Sequence, residues 1–280
     1  RFSLMESVTY KNLINEGDPS AQNYKCIVQP GDKPAVAKPL VEREQNAYED
    51  LQNTPLKDFI PTYYGTDKHD GKDYLITADL NAGLENLCYA DLKMGRRLYD
   101  ADATDVKRNK VLRKQEGSTT ESLGVRLDEA KITSKGSEIQ SWDKYSGLAF
   151  NYDQFQDFFN EFIPQKLRQV FADKVGKIYD AFSDTLDQYP AFRMYKPTLL
   201  ISYDHEKVDD IRVYFIQLKH THLDISKLEC DPDDDEYEDG VFQGLASLMN
   251  FAETTLNATP QEKGELDITV TETREEGDLK

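Results

Sequence analysis

Three combinations of residue type and spacing in this chain suit phosphate chemistry. In D-L-K-M-G, residues 91–95, Asp91 and Lys93 lie two apart. On a strand that spacing puts both side chains on one face, and Gly95 permits close approach of another backbone. Asp91 can accept a hydrogen bond from a hydroxyl, while Lys93 can stabilise charge on a phosphoryl group in transfer. Upstream, Lys38 on a strand can meet Glu44 on the helix that follows, a pair suited to gripping nucleotide phosphates. Downstream, eight Lys and Arg fall between Lys93 and Lys114, opposed by Asp100, Asp102 and Asp105 only. If 103–116 is helical, Lys107, Lys110 and Lys114 share one face, about 4.5 and 6 Å apart along the axis. Three point charges in a row suit a ligand carrying several phosphates. Taken singly, each feature also fits a structural role: a surface ion pair, a turn, a solvated helix face.

The elements that must position these residues follow from the apolar pattern. Strands are expected at 24–28, 35–40, 60–66 and 73–80 around a helix at 41–52, which makes a small α+β unit. D-L-K-M-G-R-R-L reads as a strand, the basic stretch as a helix, and S-L-G-V-R-L-D-E-A-K-I as a strand again. A loop is expected over 133–147. Phe155, Phe158, Phe159 and Phe162 recur with helical spacing over 151–189, so they read as core, with a break at Pro164. Residues 198–204 and 211–218 read as a buried hairpin, and V-F-Q-G-L-A-S-L-M-N-F-A-E as a last helix. The acidic run 231–239 lacks the spacing of an EF-hand and reads as a solvated loop. Beyond it lies an acidic polar tail, 256–280, in which D-I-T-V-T-E (267–272) could add an edge strand.

Composition excludes several functions. The chain of 280 residues carries a formal net charge of −18, which argues against direct nucleic-acid binding. A basic island in so acidic a body is most simply a local site for a small polyanion. No apolar run approaches the ~20 residues of a membrane span. Cys26, Cys88 and Cys230 are widely spaced and odd in number, against a disulfide framework or a zinc site. They fit a reducing compartment, hence cytoplasm or nucleus. The chain opens on Arg1, not Met, so a truncation boundary is expected there, and its first residues lack the apolar core of a secretory signal. There is no internal repeat.

Taken together, the sequence resembles the inositol polyphosphate kinase family, most closely the fungal-type multikinases. The family signature P-x-x-x-D-x-K-x-G corresponds to L-C-Y-A-D-L-K-M-G, residues 87–95. A Y-D turn, a basic helix and then S-L-G-V-R follow in the family's order. Upstream, A-K-P-L-V-E-R-E-Q-N-A-Y and F-I-P-T-Y-Y-G match its lysine strand, its helix and the element after it. Downstream, P-T-L-L-I-S-Y-D stands for its S-S-L-L, and I-Q-L-K-H, residues 216–220, for its I-D-F-A-H. The resemblance covers roughly residues 20–253.

The resemblance implies an α+β, two-lobed, kinase-like fold. A small N-terminal lobe (1–78) would carry an antiparallel sheet and one helix, and a larger C-terminal lobe (79–255) the inositol-phosphate helix, with ATP between them. Lys38 would contact ATP phosphates and Glu44 would hold Lys38. Backbone groups near Ala78 and Leu80 would receive adenine. Asp91 would bind ribose close to the reacting hydroxyl, and Lys93 would sit at the transfer centre. Lys107, Lys110 and Lys114 would carry inositol phosphates, His220 would touch the inositol ring, and Thr198 and Gln217 would stand at the metal, Mg²⁺ or Mn²⁺. Gln217 occupies the place of the family's metal-binding Asp. Two functions follow: an ATP- and Mg²⁺-dependent inositol polyphosphate kinase, or a catalytically impaired pseudokinase serving as an inositol-phosphate sensor or scaffold in a regulatory complex. A monomer is expected.

Overall fold

The computed structural model describes residues 7–11 and 23–257; the expected edge strand at 267–272 lies outside them. The described residues begin with five antiparallel strands: β1 (Ser7–Lys11), β2 (Tyr24–Gln29), β3 (Lys33–Pro39), β4 (Tyr63–His69) and β5 (Lys72–Ala78), in the order β1-β2-β3-β5-β4. Helix α1 (Glu42–Leu51) interrupts them after β3. Alternation along the strands splits this sheet between two cores. Ala35, Ala37, Tyr74 and Ile76 form one cluster, while Leu75 on the opposite face joins Ala47, Tyr48 and Leu51 of α1 in the main core. Lys38 pairs directly with Leu75 in register, so it too points toward α1.

A second five-stranded antiparallel sheet follows, in the order β11-β10-β6-β7-β8. Its members are β6 (Leu87–Met94), β7 (Val125–Ser134), β8 (Ser137–Trp142), β10 (Thr198–Asp204) and β11 (Arg212–Ile216), and a two-residue pair joins β9 (Arg193–Met194) to β12 (Thr221–His222). Between β6 and β7 lie α2 (Asp105–Gln115) and α3 (Thr119–Leu123). Thr104 caps α2 by accepting the Lys107 amide, and Arg113 and Lys114 end it, matching the helix dipole.

The expected loop at 133–147 contains β8 and the start of α4 (Lys144–Ala149). Its Ser, Lys and Gly residues mark the tight turn between β7 and β8, not a long irregular stretch. Helices α5 (Tyr152–Phe162) and α6 (Arg168–Gln188) flank Pro164, as the sequence predicts, and α7 (Val241–Asn257) closes the described chain. A capping box at Asn151 and Gln154 starts α5, and all four expected phenylalanines are buried. β6 starts earlier than its sequence pattern indicates and stops at Met94, because Gly95 takes φ +94°. A Cβ there would lie 2.5 Å from the Asp239 carbonyl oxygen.

Candidate phosphoryl-transfer site

Even-numbered Cys88, Ala90, Leu92 and Met94 of β6 enter the main core, so Asp91 and Lys93 face the other way together. Register sets Lys93 between Thr198 of β10 and Arg126 of β7. The Lys93 ammonium is almost wholly buried and donates to Thr198 Oγ1 at 2.5 Å and Gln217 Oε1 at 2.6 Å. Its carboxylate partner is Asp128, at 3.6 Å, which also takes Arg126 at 3.1 Å. Burial lowers the Lys93 pKa against the attraction of Asp128 and Asp91. Burial pushes the Asp91 carboxyl up to about 7; Lys93 opposes this, while Glu129 and Asp128 add to it.

Lys38 and Glu44 meet as the sequence predicts, at 2.7 Å. The same Glu44 oxygen accepts the Leu218 amide at 3.0 Å, which ties α1 to the segment carrying Gln217. Gln217 takes φ +59°, a left-handed backbone uncommon for its type. Lys93, Thr198 and Gln217 are thus in direct contact, and Glu44 joins Lys38 to the backbone beside Gln217.

Of the remaining expected residues, Ala78 ends β5, where its amide donates to the Thr62 carbonyl at 2.9 Å. The Leu80 carbonyl accepts Arg212 at 2.6 Å. Lys107, Lys110 and Lys114 are exposed on α2. On the opposite side of that helix, Arg108 binds Glu236 at 2.5 Å and buried Gln115 donates to the Arg96 carbonyl. His220 Nδ1 lies 2.5 Å from Asp100, whose other oxygen takes His222 Nε2 at 2.6 Å; Arg43 reaches Asp100 at 3.2 Å. Burial would raise the Asp100 pKa, but the hydrogen bonds from both histidines and their charge hold it well below the usual carboxylate range.

Asp128 and the burial of the acidic run escaped the sequence reading. Asp128 sits at a β-bulge: Asp91 pairs with Glu129 but Leu92 with Leu127, so Asp128 is the extra residue, turned toward Lys93 and Arg126. The parity switch in V-R-L-D-E-A-K-I, from Val125 and Leu127 inward to Ala130 and Ile132 inward, is the signal that could have located it. The acidic run is also more than a solvated loop. Arg97 stacks on Tyr99, Tyr195 and Tyr237 at 4.5–5.0 Å and donates to the Glu236 carbonyl. Asp239 is buried, with its carboxylate on the amides of Met194 and Val241, both at 2.8 Å. Burial pushes its pKa up to about 7. Arginines upstream of α2 and in β9 hold the run down, a pairing no local pattern shows.

A family model for inositol polyphosphate kinases matches residues 74–253. This chain belongs to the inositol polyphosphate kinase family. Inositol polyphosphate multikinase of Saccharomyces cerevisiae is 30% identical over 131 residues, 47% of this chain and 32% of that protein. Human inositol hexakisphosphate kinase 2 is 26% identical over 141 residues, 49% of this chain and 33% of that protein. The matched stretch therefore spans about a third of the length of these relatives. The fold is similar to that of S. cerevisiae inositol phosphate multikinase Ipk2, solved with ADP and Mn²⁺, at a TM-score of 0.65 and 22% identity. That similarity covers 79% of this chain and 99% of the solved one. The architecture is accordingly the α+β, two-lobed, kinase-like one that the resemblance implies.

A divalent cation would meet only oxygen donors around the Lys93 ammonium, which these donors now hold. Thr198 Oγ1, Gln217 Oε1 and Asp128 Oδ2 are all oxygens, the hard donors Mg²⁺ and Mn²⁺ favour. The set supplies one carboxylate, and among the described residues no group of three or more His, Cys, Asp or Glu is arranged to hold a metal. Such a set suits an ion carried mainly by substrate phosphates. Among the described residues no helix is long and apolar enough to cross a membrane.

Proposed function

We propose that this protein is an ATP-dependent inositol polyphosphate kinase of the multikinase kind, transferring the γ-phosphoryl group to an inositol phosphate hydroxyl with Mg²⁺ or Mn²⁺. The observation that carries the reading is the buried Lys93 ammonium, fixed by Thr198 and Gln217 beside Asp91 on one strand. A cation so placed is preorganised for charge that builds on a phosphoryl group in flight.

In this reading residues 1–78 and 79–255 are the two lobes, with the nucleotide between them. Lys38, oriented by Glu44, binds the nucleotide phosphates, and backbone groups near Ala78 and Leu80 take the adenine. Asp91 binds the ribose and stands near the acceptor hydroxyl. Lys107, Lys110 and Lys114 hold inositol phosphates, and His220, oriented by Asp100, meets the inositol ring. Thr198, Gln217 and Asp128 would hold the divalent ion, which neutralises phosphate charge when bound. The chain's own contribution is positioning and charge neutralisation, with the acceptor oxygen in line with the leaving group. Action as a monomer in the cytoplasm or nucleus, with a regulatory complex as a further setting, completes the proposal.

Gln217 favours a second reading, in which the chain is catalytically impaired and serves as an inositol-phosphate sensor or regulatory scaffold. Turnover of ATP with Mg²⁺ or Mn²⁺ against a panel of inositol tris- and tetrakisphosphates decides between them, with Lys93→Ala as the control. Phosphorylation that vanishes in the variant is the expected result. Inositol phosphate binding without turnover would overturn the kinase reading and leave the sensor.

A further inference from the structure

Two lysines that the proposed mechanism does not use lie close by: Lys196, near enough to Lys93 to feel its charge, and Lys219, near Lys196 in turn. Lys196 immediately precedes Pro197, whose carbonyl accepts the Met94 amide at 3.0 Å. On its other side, the Tyr195 amide donates to the His220 carbonyl at 2.9 Å. The backbone of Lys196 is therefore clamped between the residue after Lys93 and the residue after Lys219, and Thr198, two residues on, pairs with Lys93 in register. Lys196 takes φ +53°, so two non-glycine residues at this centre, Lys196 and Gln217, adopt the left-handed region. Such a backbone is unfavourable for a residue with a side chain and persists where the surroundings fix it.

The charges do not balance. Lys93, Lys196 and Arg126 act on Asp128, and Lys219 on Lys196; against these four cations stand Asp128, Asp91 and Glu129, and Gln217 adds no charge. Among the described residues neither Lys196 nor Lys219 makes an ion pair, although Lys196 is half-buried. Asp128, which attracts Lys196, is already shared by Lys93 and Arg126, so a half-buried Lys196 ammonium is unfavourable unless a further anion completes the site. An anion with several negative oxygens in a small volume would satisfy all three lysines together.

We propose that Lys93, Lys196 and Lys219 form a phosphate-binding triad that holds the phosphate chain of a nucleoside triphosphate without requiring a divalent cation. The assignment to the nucleotide rests on the kinase reading above. Lysine ammonium groups then supply, for binding, charge that a weak metal donor set does not; transfer itself still draws on the ion.

The test is calorimetric titration at pH 7 of ATP, adenosine and an inositol tetrakisphosphate into the full chain, once with EDTA and once with Mg²⁺. Wild-type protein is expected to bind ATP in EDTA within about fivefold of its Mg²⁺ affinity, and adenosine far more weakly, since the phosphates carry the contact. Lys219→Met and Lys196→Met are each expected to weaken ATP in EDTA about tenfold, the scale of one charge-assisted contact, and less in Mg²⁺. Lys219 is exposed, so its variant keeps the test valid should Lys196→Met fail to fold. Loss of wild-type ATP binding in EDTA overturns the proposal, as does a Lys219→Met protein that binds ATP there as tightly as wild type. Lysine dependence seen with the inositol phosphate and not with ATP overturns the assignment to the nucleotide. Binding in EDTA without turnover on any inositol phosphate leaves the triad standing and removes the kinase reading; turnover without binding in EDTA does the reverse.

Discussion

Replacing Gln217 with Asp should convert a weak cation site into a strong one. The amide oxygen lies 2.6 Å from Lys93 Nζ. An Asp side chain is one methylene shorter; with its oxygens about 4 Å from an ion whose second charge is met by nucleotide phosphate, two unit charges interact by about 4 kcal/mol at an effective dielectric of 20. Gln217 is exposed, and solvent screening cuts that to roughly a third, about 1.4 kcal/mol, or tenfold in affinity. Backbone strain does not oppose the change, because Asp tolerates the φ of +59° better than Gln does. Mn²⁺ titrated into the nucleotide-loaded protein, followed by water-proton relaxation, should show half-saturation at about one tenth of the wild-type concentration. An unchanged Mn²⁺ affinity in a variant with an unaltered melting temperature would refute the reasoning, since the added charge would then not face the ion.

Further outcomes follow from other parts of the site. Burial pushes the Asp91 pKa up to about 7 and its ionised form is the one that accepts a hydrogen bond, so kcat/KM should climb about tenfold per pH unit below 7 and level off above it. Asp91→Asn should abolish that limb, as measured by a pH–rate profile. Asp100→Asn removes the anion shared by His220, His222 and Arg43 and should cost about 3 kcal/mol, a fall of roughly 6–12 °C in melting temperature. Because the folded pKa of Asp100 is depressed, its stabilisation is present above the unfolded value near 4 and is lost as pH falls below it. The variant should therefore be weaker at neutral pH yet lose less on acidification, as read by denaturant titrations across pH. Gly95→Ala sets a Cβ against the Asp239 carbonyl at a positive φ and should lower stability by about 2 kcal/mol in thermal unfolding.

What the sequence could and could not disclose follows from how far apart the partners lie. Lys38 and Glu44 are six residues apart across a single strand-to-helix turn, so their 2.7 Å contact is legible from local pattern alone. The shared face of Asp91 and Lys93 follows from strand periodicity, and the phenylalanines of α5 from helical periodicity. Asp128 was hidden because a bulge breaks the period on which such reading depends. Lys196 and Lys219 were hidden because only the pairing of β6 with β10 brings Lys196 near Lys93, and only a backbone contact from Tyr195 to His220 brings Lys219 near Lys196. Asp239 was misread because charge runs are normally solvated, and its burial depends on the amides of Met194 and Val241 and on backbone contacts with Arg96 and Arg97.

The bond from the Leu218 amide to Glu44 has a mechanical consequence. Helix α1 packs Ala47, Tyr48 and Leu51 into the same core as the second sheet, and Glu44 pins its first turn to the strand end beyond β11. The helix therefore travels with the larger half of the molecule, although the chain threads it between two strands of the smaller one. Wide opening of the kind that hinges one half away from the other would pull Tyr48 and Leu51 out of contact, at about 1.5–3 kcal/mol for each large side chain exposed. The Lys38–Glu44 pair is therefore fixed from both sides, by β3 and by the segment that follows β11.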